Sequence, residues 1–152
     1  GILFDRPLVI EHAKQSQLSL DSRNVSGLAS RMNFVSGDFF DSVPAGGDAY
    51  LLRLIIHDWN DEDSVRILKT VRKAMGSNNS NATLIVIEQL IEDTVHNNVF
   101  DARWSDLHMM VMLNARERTL NEFRSMFDAA GFTLVDTFRG RSPLSLIIGK
   151  PK

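Results

Sequence analysis

Four polar side chains that could bind a ligand or move a proton stand at or just after the ends of apolar segments. They are Asp5, Asp38, His57 and Glu88. Each apolar segment predicts a β-strand, and in open α/β sheets ligands bind beyond the carboxyl ends of the strands. An imidazole can also exchange a proton near neutral pH. Each residue alone has a simpler explanation, because strand ends are often polar and Asp38 after Gly37 could shape a turn. The four together favour a ligand site at one rim of a sheet.

The segments that must position these residues alternate between predicted strands and predicted helices. Strands are predicted at Gly1–Phe4, Met32–Val35, Ala49–Ile56, Thr83–Ile87, Phe132–Phe138 and Leu144–Ile148. Helices are predicted at Pro7–Gln15, from an Asn60 cap to Met75, at Phe100–Leu113, and from a Thr119 cap to Ala130 before Gly131. The apolar run Ala49–Ile56 is typical of a strand covered on both faces. This order predicts an α/β sheet that is parallel for most of its width and ends in an antiparallel hairpin.

Composition limits the class of protein. The 152 residues suffice for one domain, and 43% hydrophobic and 24% charged residues are ordinary for a globular protein. The net charge of −2 gives no electrostatic case for nucleic acid or an anionic membrane, and the longest apolar runs are too short to span a bilayer. The chain has no cysteine, which excludes disulfides and cysteine-ligated zinc. The N-terminus lacks the pattern of a signal peptide, so we expect a cytoplasmic protein.

The spacing of the other histidines gives no indication of a metal. His12, His96 and His108 have no acidic partners at metal-ligand spacing. We interpret them as surface or packing residues and predict that the protein holds no metal.

One segment carries a specific family signal. Leu52–Asp63, with the sequence LRLIIHDWNDED, closely resembles the catalytic segment of plant and fungal small-molecule O-methyltransferases, the group that includes caffeic acid and acetylserotonin methyltransferases. Four further segments resemble that family in the same order: Gly1–Ala13, Phe34–Pro44, Leu84–Ile91 and Asn114–Phe132. The resemblance implies methyl transfer from S-adenosylmethionine to a hydroxyl of a small, aromatic acceptor. It also implies a Rossmann-like methyltransferase sheet.

The resemblance assigns acid–base roles to three residues. His57 matches the family's general base, which removes the proton of the acceptor hydroxyl, and Glu88 and Glu117 match the two glutamates that flank it. A carboxylate bonded to one ring nitrogen fixes the imidazole tautomer and stabilises the imidazolium as it forms. Without the resemblance, Glu117 would be interpreted as a charge at a helix entry, between Arg116 and Arg118.

The resemblance also assigns cofactor contacts. Asp5 matches the acidic residue that binds the ribose hydroxyls of S-adenosylmethionine, and Asp38 and Phe39 match the pair that contacts adenine. Arg53 stands where the family commonly has a lysine near the carboxylate end of the cofactor. Because arginine and lysine differ in hydration and geometry, this contact departs from the family pattern.

A methionine-rich helix is expected to line the acceptor pocket. Methionines in a helix usually serve adaptable core packing. In the family that resembles this chain, however, the helix corresponding to Phe100–Leu113 contacts the acceptor. The resemblance therefore implies acceptor contacts at Met109, Met110 and Asn114.

Three elements of the family have no counterpart in this sequence: its first strand, the glycine-rich turn after that strand, and its N-terminal dimerisation domain. The glycine-rich turn after the family's first strand, whose amides hold the methionine part of the cofactor, has no counterpart, since no GxGxG occurs in the sequence. We therefore interpret residues 1–152 as the C-terminal part of a single catalytic domain, with an incomplete sheet and without the family's N-terminal dimerisation domain. A truncated product, a proteolytic product and one half of a split protein would all fit. Strands left without neighbours recruit partners, so we expect a homodimer. Because the turn that holds the methionine part is missing, we also expect weak or absent cofactor binding.

Two other functions compete with this enzyme hypothesis. The chain could be a catalytically silent module that folds and self-associates but does not bind cofactor. It could also be a nicotinamide-dependent dehydrogenase, because Asp5 at a strand end would suit a ribose. The segment around His57 and the two later glutamates argue against a dehydrogenase, since hydride transfer does not need that set.

Overall fold

A computed structural model describes residues 1–21, 31–77, 81–92, 102–113, 115–140 and 142–152. The described strands are β1 (Ile2–Asp5), β2 (Asn33–Ser36), β3 (Ala49–Arg53), β4 (Thr83–Ile91), β5 (Arg118–Thr119), β6 (Phe132–Arg139) and β7 (Leu144–Pro151). The described α-helices are α1 (Pro7–Asp21), α2 (Asp61–Met75), α3 (Ala102–Leu113) and α4 (Leu120–Ala129), and a 3-10 helix covers Ile56–Asp58. None of the described helices is long and apolar enough to cross a membrane.

The chain divides into two compact units, Gly1–Ala45 and Gly46–Lys152, called here the N-terminal and C-terminal units. In the N-terminal unit, β1 and β2 pair in parallel. Their carboxyl ends are tied together because the N–H of Gly37 donates to the carbonyl of Asp5 at 3.0 Å. A Cβ atom at position 37 would lie 2.7 Å from the ring of Phe4, so this close approach requires glycine.

The C-terminal unit is a mixed sheet with the strand order β3-β4-β7-β6, and β5 pairs with the end of β4. The pairs β3–β4 and β4–β5 are parallel, whereas β4–β7 and β6–β7 are antiparallel. The side chains of β4 alternate between buried and half-buried, and its buried apolar residues belong to a hydrophobic core that also includes Ile67, Leu68, Phe123 and Phe127. The predicted α/β architecture with a C-terminal antiparallel hairpin is confirmed.

Of the strand boundaries that differ from the prediction, two bear on the site most directly. The strand predicted at Ala49–Ile56 ends at Arg53, because Leu54 adopts a left-handed backbone conformation with φ 53°. The expectation that this strand is covered on both faces is also wrong, since the alternate residues that form one face of β3 are exposed, with Leu51 at 58%. Conversely, β4 continues to Ile91, because it keeps pairing with β7 and β5, and Glu88 therefore lies inside the strand rather than after it.

The predicted helix caps are confirmed. The side chain of Asn60 accepts a hydrogen bond from the N–H of Asp63 at 2.9 Å, and α2 ends before Gly76, as expected. Thr119 and Glu122 form a reciprocal capping box at the start of α4. These local signals fix where α2 and α4 begin, immediately after two segments that carry site residues.

Candidate active site

The residue with the clearest acid–base chemistry, His57, lies on a turn rather than at a strand end. We call residues 54–59 the His57 turn. It begins at Leu54, whose left-handed conformation is unfavourable for a residue with a side chain by about 1–2 kcal/mol. The N–H of Leu54 donates to the carbonyl of Ile87 at 3.1 Å, and the side chain of Ile56 is fully buried. Such a conformation persists only where its surroundings hold it in place.

Glu88 holds the N-terminal end of the His57 turn. Its side chain is fully buried on the core face of β4. Atom Oε1 accepts hydrogen bonds from the backbone N–H groups of Ile55 at 3.0 Å and Ile56 at 2.8 Å, and a longer one from that of His57 at 3.4 Å. The first N–H groups of any helical turn lack partners within it, so a buried carboxylate satisfies them here.

The imidazole of His57 is surrounded by three carboxylates. Its Nδ1 atom lies 3.2 Å from Oε1 of Glu117 and 3.8 Å from Oε2 of Glu88. Its Nε2 atom lies 3.4 Å from Oδ1 of Asp58. The side chain is only 13% exposed. The structure therefore brings together the three residues that the sequence proposed as a catalytic group.

Glu117 is itself held by its neighbours. Its side chain is buried, and Oε1 also accepts a hydrogen bond from the hydroxyl of Ser105 on α3 at 2.6 Å. Its backbone N–H donates to the carboxylate of Asp106 at 2.9 Å. The interpretation of Glu117 as a solvated charge at a helix entry is therefore wrong, because the packing of α3 excludes it from solvent.

The neighbours of His57 and Glu88 change the pKa values of both side chains. The hydrogen bond that His57 Nδ1–H donates to Glu117 is the main cause that raises the pKa of His57, the negative charges of Glu88, Glu117 and Asp58 add to it, and burial opposes the rise. Burial raises the pKa of Glu88, although the nearby imidazole and the N–H groups of Ile55 and Ile56 oppose it. The imidazole of His57 can therefore accept a proton at Nε2 while its Nδ1 atom stays oriented by Glu117.

The same three side chains meet the spacing of a cation site. Ligand atoms of His57, Glu88 and Glu117 all lie within 4.8 Å of one another. However, Oε1 of Glu88 already faces three backbone N–H groups, whose positive ends would repel a cation beside it. Of the other histidines, His96 lies outside the described residues. The same arrangement suits an imidazole that two carboxylates orient.

The residues predicted to bind the adenosine part of a cofactor lie in the N-terminal unit. Asp5 is the last residue of β1, and its Oδ1 accepts from the N–H of Arg6 at 2.7 Å. Asp38 follows β2, and its Oδ1 accepts from the N–H of Phe40 at 2.8 Å, which is the turn-forming contact expected for this position. Phe39 is half-buried, with its ring against that of Phe40. Asp5 and Asp38 therefore share the carboxyl rim of one parallel pair.

The remaining predicted residues have different placements. Arg53 is the exposed last residue of β3. On α3, Met109 is half-buried and follows Ser105 by one helical turn, which puts it on the face that contacts Glu117, whereas Met110 is exposed. Asn114 lies outside the described residues.

The sequence did not identify three residues that the structure adds to the site. Asp58 faces Nε2 of His57, and Ser105 binds Glu117. Arg118 is buried at 1% exposure and donates to carbonyl groups of the His57 turn. The only signal for Arg118 was a charge beside Glu117, which is typical of exposed helix ends as well.

Comparison with known proteins gives a consistent result. Residues 1–133 match a family model described as an O-methyltransferase domain. The chain is 38% identical over 151 residues to phenazine O-methyltransferase PhzM of Lysobacter antibioticus, in a match that covers 99% of this chain and 41% of that protein. The crystal structure of LaPhzM superposes with a TM-score of 0.89 at 38% identity, over 100% of this chain and 42% of that one.

A second solved structure contains ligands. It is an O-methyltransferase from neocarzinostatin biosynthesis in complex with S-adenosyl-L-homocysteine and 1,4-dihydroxy-2-naphthoic acid. It superposes with a TM-score of 0.81 at 28% identity, over 100% of this chain and 42% of that one. The chain thus spans about two fifths of the length of the relatives it matches.

Proposed function

The chain belongs to the O-methyltransferase domain family, and from that premise we propose that it is part of a catalytic domain that methylates a hydroxyl of a small aromatic acceptor. The methyl donor is S-adenosylmethionine. Two relatives support the acceptor class: one is a phenazine O-methyltransferase, and another was solved with a dihydroxynaphthoic acid and the demethylated cofactor. The observation that carries the proposal is the contact of His57 Nδ1 with Glu117, 3.2 Å away.

We propose His57 as the general base. When bound, S-adenosylmethionine supplies an electrophilic methyl group. The task left to the protein is to remove the proton of the acceptor hydroxyl, and Nε2 of His57 accepts it. The imidazolium that forms keeps its Nδ1–H against the carboxylate of Glu117, which stabilises the positive charge as it develops. Asp58 faces the same Nε2 atom and adds a second negative charge beside it.

Glu88 has a different role in this proposal. Its Oε1 atom is engaged by the backbone of the His57 turn, so its first effect is to hold the base in place. Its Oε2 atom, 3.8 Å from Nδ1, adds negative charge near the ring. Glu88 therefore contributes both position and electrostatics, whereas Glu117 makes the direct contact.

The residues of the N-terminal unit fit the adenosine part of the cofactor. A carboxylate at the end of β1, such as Asp5, can accept bonds from both ribose hydroxyls. Asp38 and the half-buried ring of Phe39 offer an acceptor and an apolar surface for adenine. In the C-terminal unit, the exposed guanidinium of Arg53 would suit the carboxylate of the methionine part.

Acceptor contacts are proposed on α3. Met109 and Met110 follow Ser105 and Asp106 by one helical turn, and both of those residues bind Glu117. Asn114 remains a proposal from the resemblance. A flexible thioether beside the base suits acceptors of varied shape.

A methylation assay tests the proposed function. The whole protein that carries this chain is incubated with S-adenosylmethionine and 1,4-dihydroxy-2-naphthoic acid or a hydroxyphenazine, and methylated products are detected by mass spectrometry. We expect O-methylation that His57→Ala greatly reduces. Full turnover by the His57→Ala variant would reject the base.

A second candidate is a silent, self-associating module. It is favoured by an apolar surface of exposed residues on α3: Trp104, Leu107, Met110, Val111 and Met112. Homodimerisation through such a surface is compatible with either function, so light scattering alone does not separate them. Titration with S-adenosylmethionine does, because a silent module would show no binding in the whole protein either.

A further inference from the structure

Arg118 makes contacts that are unusual for an arginine so deeply buried. Its Nη1 atom donates to the carbonyl of Ile56 at 2.9 Å, and its Nη2 atom donates to the carbonyl of Trp59 at 2.7 Å. Its Nε and Nη2 atoms also reach Oδ1 of Asp61, at 2.9 and 2.8 Å. A buried charge is costly unless it is paired and hydrogen-bonded, and here the guanidinium is both.

The two carbonyl groups stand on either side of His57 and Asp58 in the sequence. Arg118 therefore holds the carbonyl side of the His57 turn, while Glu88 holds the N–H side through Ile55 and Ile56. The turn begins with the strained backbone of Leu54 and would not keep this conformation unaided. Opposite charges thus fix opposite polar groups of one turn.

Arg118 is also tied to the residue that orients the imidazole. It directly follows Glu117, and β5 pairs Arg118 with Leu90, so the backbone of the Glu117–Arg118 pair is anchored to β4. One dipeptide then contacts the ring of His57 through Glu117 and the backbone around His57 through Arg118. Any shift of the turn relative to this dipeptide would change the distance between Nδ1 and Glu117.

From these contacts we infer that Arg118 is a positioning residue, whose guanidinium holds the His57 turn so that the imidazole stays against Glu117. The inference rests on the proposed function only in calling His57 the base. A lysine at this position would keep the charge but could not serve two carbonyls and Asp61 in one plane.

The test compares Arg118→Lys with Arg124→Lys, whose exposed guanidinium on α4 binds Asn121. First, the His57 imidazole is titrated by NMR in both variants. We expect its pKa to fall towards the ordinary histidine value of about 6.5 in Arg118→Lys only. Second, in the whole protein we expect kcat to fall on the order of 10- to 100-fold with little change in KM, since a small misplacement of a catalytic group costs that much.

The possible outcomes are distinct. If Arg118→Lys lowers thermal stability but leaves the His57 titration and kcat as in the parent, its role is structural only and the inference is wrong. If Arg118→Lys does not fold, Asp61→Asn loosens the same guanidinium from a largely exposed position, and the same two measurements decide. The NMR titration needs no methyl transfer, so it tests the inference even if His57→Ala shows that His57 is not the base.

Discussion

The imidazole of His57 and the carboxylate of Glu117 meet at 3.2 Å although 60 positions separate them in the sequence. The pair forms because two segments converge: the His57 turn after β3, and Glu117 directly before the short β5 strand, which pairs with the end of β4. Glu117 cannot move away readily, since Ser105 and Asp106 of α3 bind its side chain and its backbone. This contact is the main cause that raises the pKa of His57, and the first two predictions below rest on it.

Loss of the imidazole should affect turnover and spare cofactor binding. In the whole protein, we expect His57→Ala to lower kcat roughly 10²–10⁴-fold, the usual contribution of a general base. Affinity for S-adenosylmethionine, measured by calorimetry, should stay within error. His12→Ala, at an exposed position on α1, serves as the matched control and should leave kcat unchanged.

The contact with Glu117 should set the pH dependence of catalysis. Because Glu117 raises the pKa of His57, the neutral base becomes available only above the ordinary histidine value, and kcat should rise with pH through that raised value. Glu117→Gln should move the midpoint to lower pH and also lower the plateau, since the imidazolium loses its partner. A midpoint that stays in place in Glu117→Gln would contradict the assignment.

Stability should depend on pH in the opposite sense to that of a salt-bridged carboxylate. The pKa values of Glu88 and His57 are both raised in the folded protein. A group with a raised pKa binds its proton more tightly when folded, so its stabilising effect is present at low pH and is lost as pH rises through the folded value. We therefore expect the free energy of unfolding to fall as the pH rises above the ordinary values of 4.5 for Glu88 and 6.5 for His57.

Urea unfolding of two variants checks the source of this trend. Glu88→Gln keeps an oxygen that can accept the N–H groups of Ile55 and Ile56 but cannot ionise, so the slope with pH should flatten. Glu62→Gln, at an exposed position in the first turn of α2, should keep the parent slope. Equal slopes in the parent and in Glu88→Gln would show that Glu88 does not contribute.

Binding of S-adenosylmethionine to this polypeptide should be weak or undetectable. Asp5, Asp38 and Phe39 offer contacts to the adenosine part, whereas the sequence has no glycine-rich turn for the methionine part. A ligand held at one end loses contacts and preorganisation together. A dissociation constant of about 1 μM by calorimetry, which corresponds to a binding free energy of about −8 kcal/mol, would overturn this expectation. Any weak binding that is measurable should decrease further in Asp5→Asn and not in Glu11→Gln.

Divalent metals should not affect the site. The cluster of His57, Glu88 and Glu117 has the spacing of a metal site, but three N–H groups already occupy one oxygen of Glu88. We expect excess EDTA to leave the thermal unfolding midpoint unchanged. In calorimetric titrations with Zn²⁺, we expect the parent and His57→Ala to behave alike. A signal that disappears in His57→Ala would identify a metal site instead.

The sequence by itself determined the features that depend on neighbouring residues. Asn60 and Thr119 start α2 and α4 as predicted, because a cap needs only a side chain and a backbone N–H three positions later. The segment around His57 was sufficient to indicate the family, and the alternation of strands and helices was sufficient for the α/β class. Sheet pairing then brought Glu88 close to the His57 turn.

The tertiary structure alone decided how the base is held. No local sequence pattern indicates that β3 ends at Arg53, that Leu54 is left-handed or that Arg118 is buried. The apolar run Ala49–Ile56 predicts one continuous strand instead. These features arise from contacts between distant residues: Glu88 binds backbone groups 31 to 33 positions away, and Arg118 binds the carbonyl of Ile56 across 62 positions. Whether a charged side chain is solvated or buried depends on what packs over it, and for Glu117 and Arg118 only the folded chain supplies that cover.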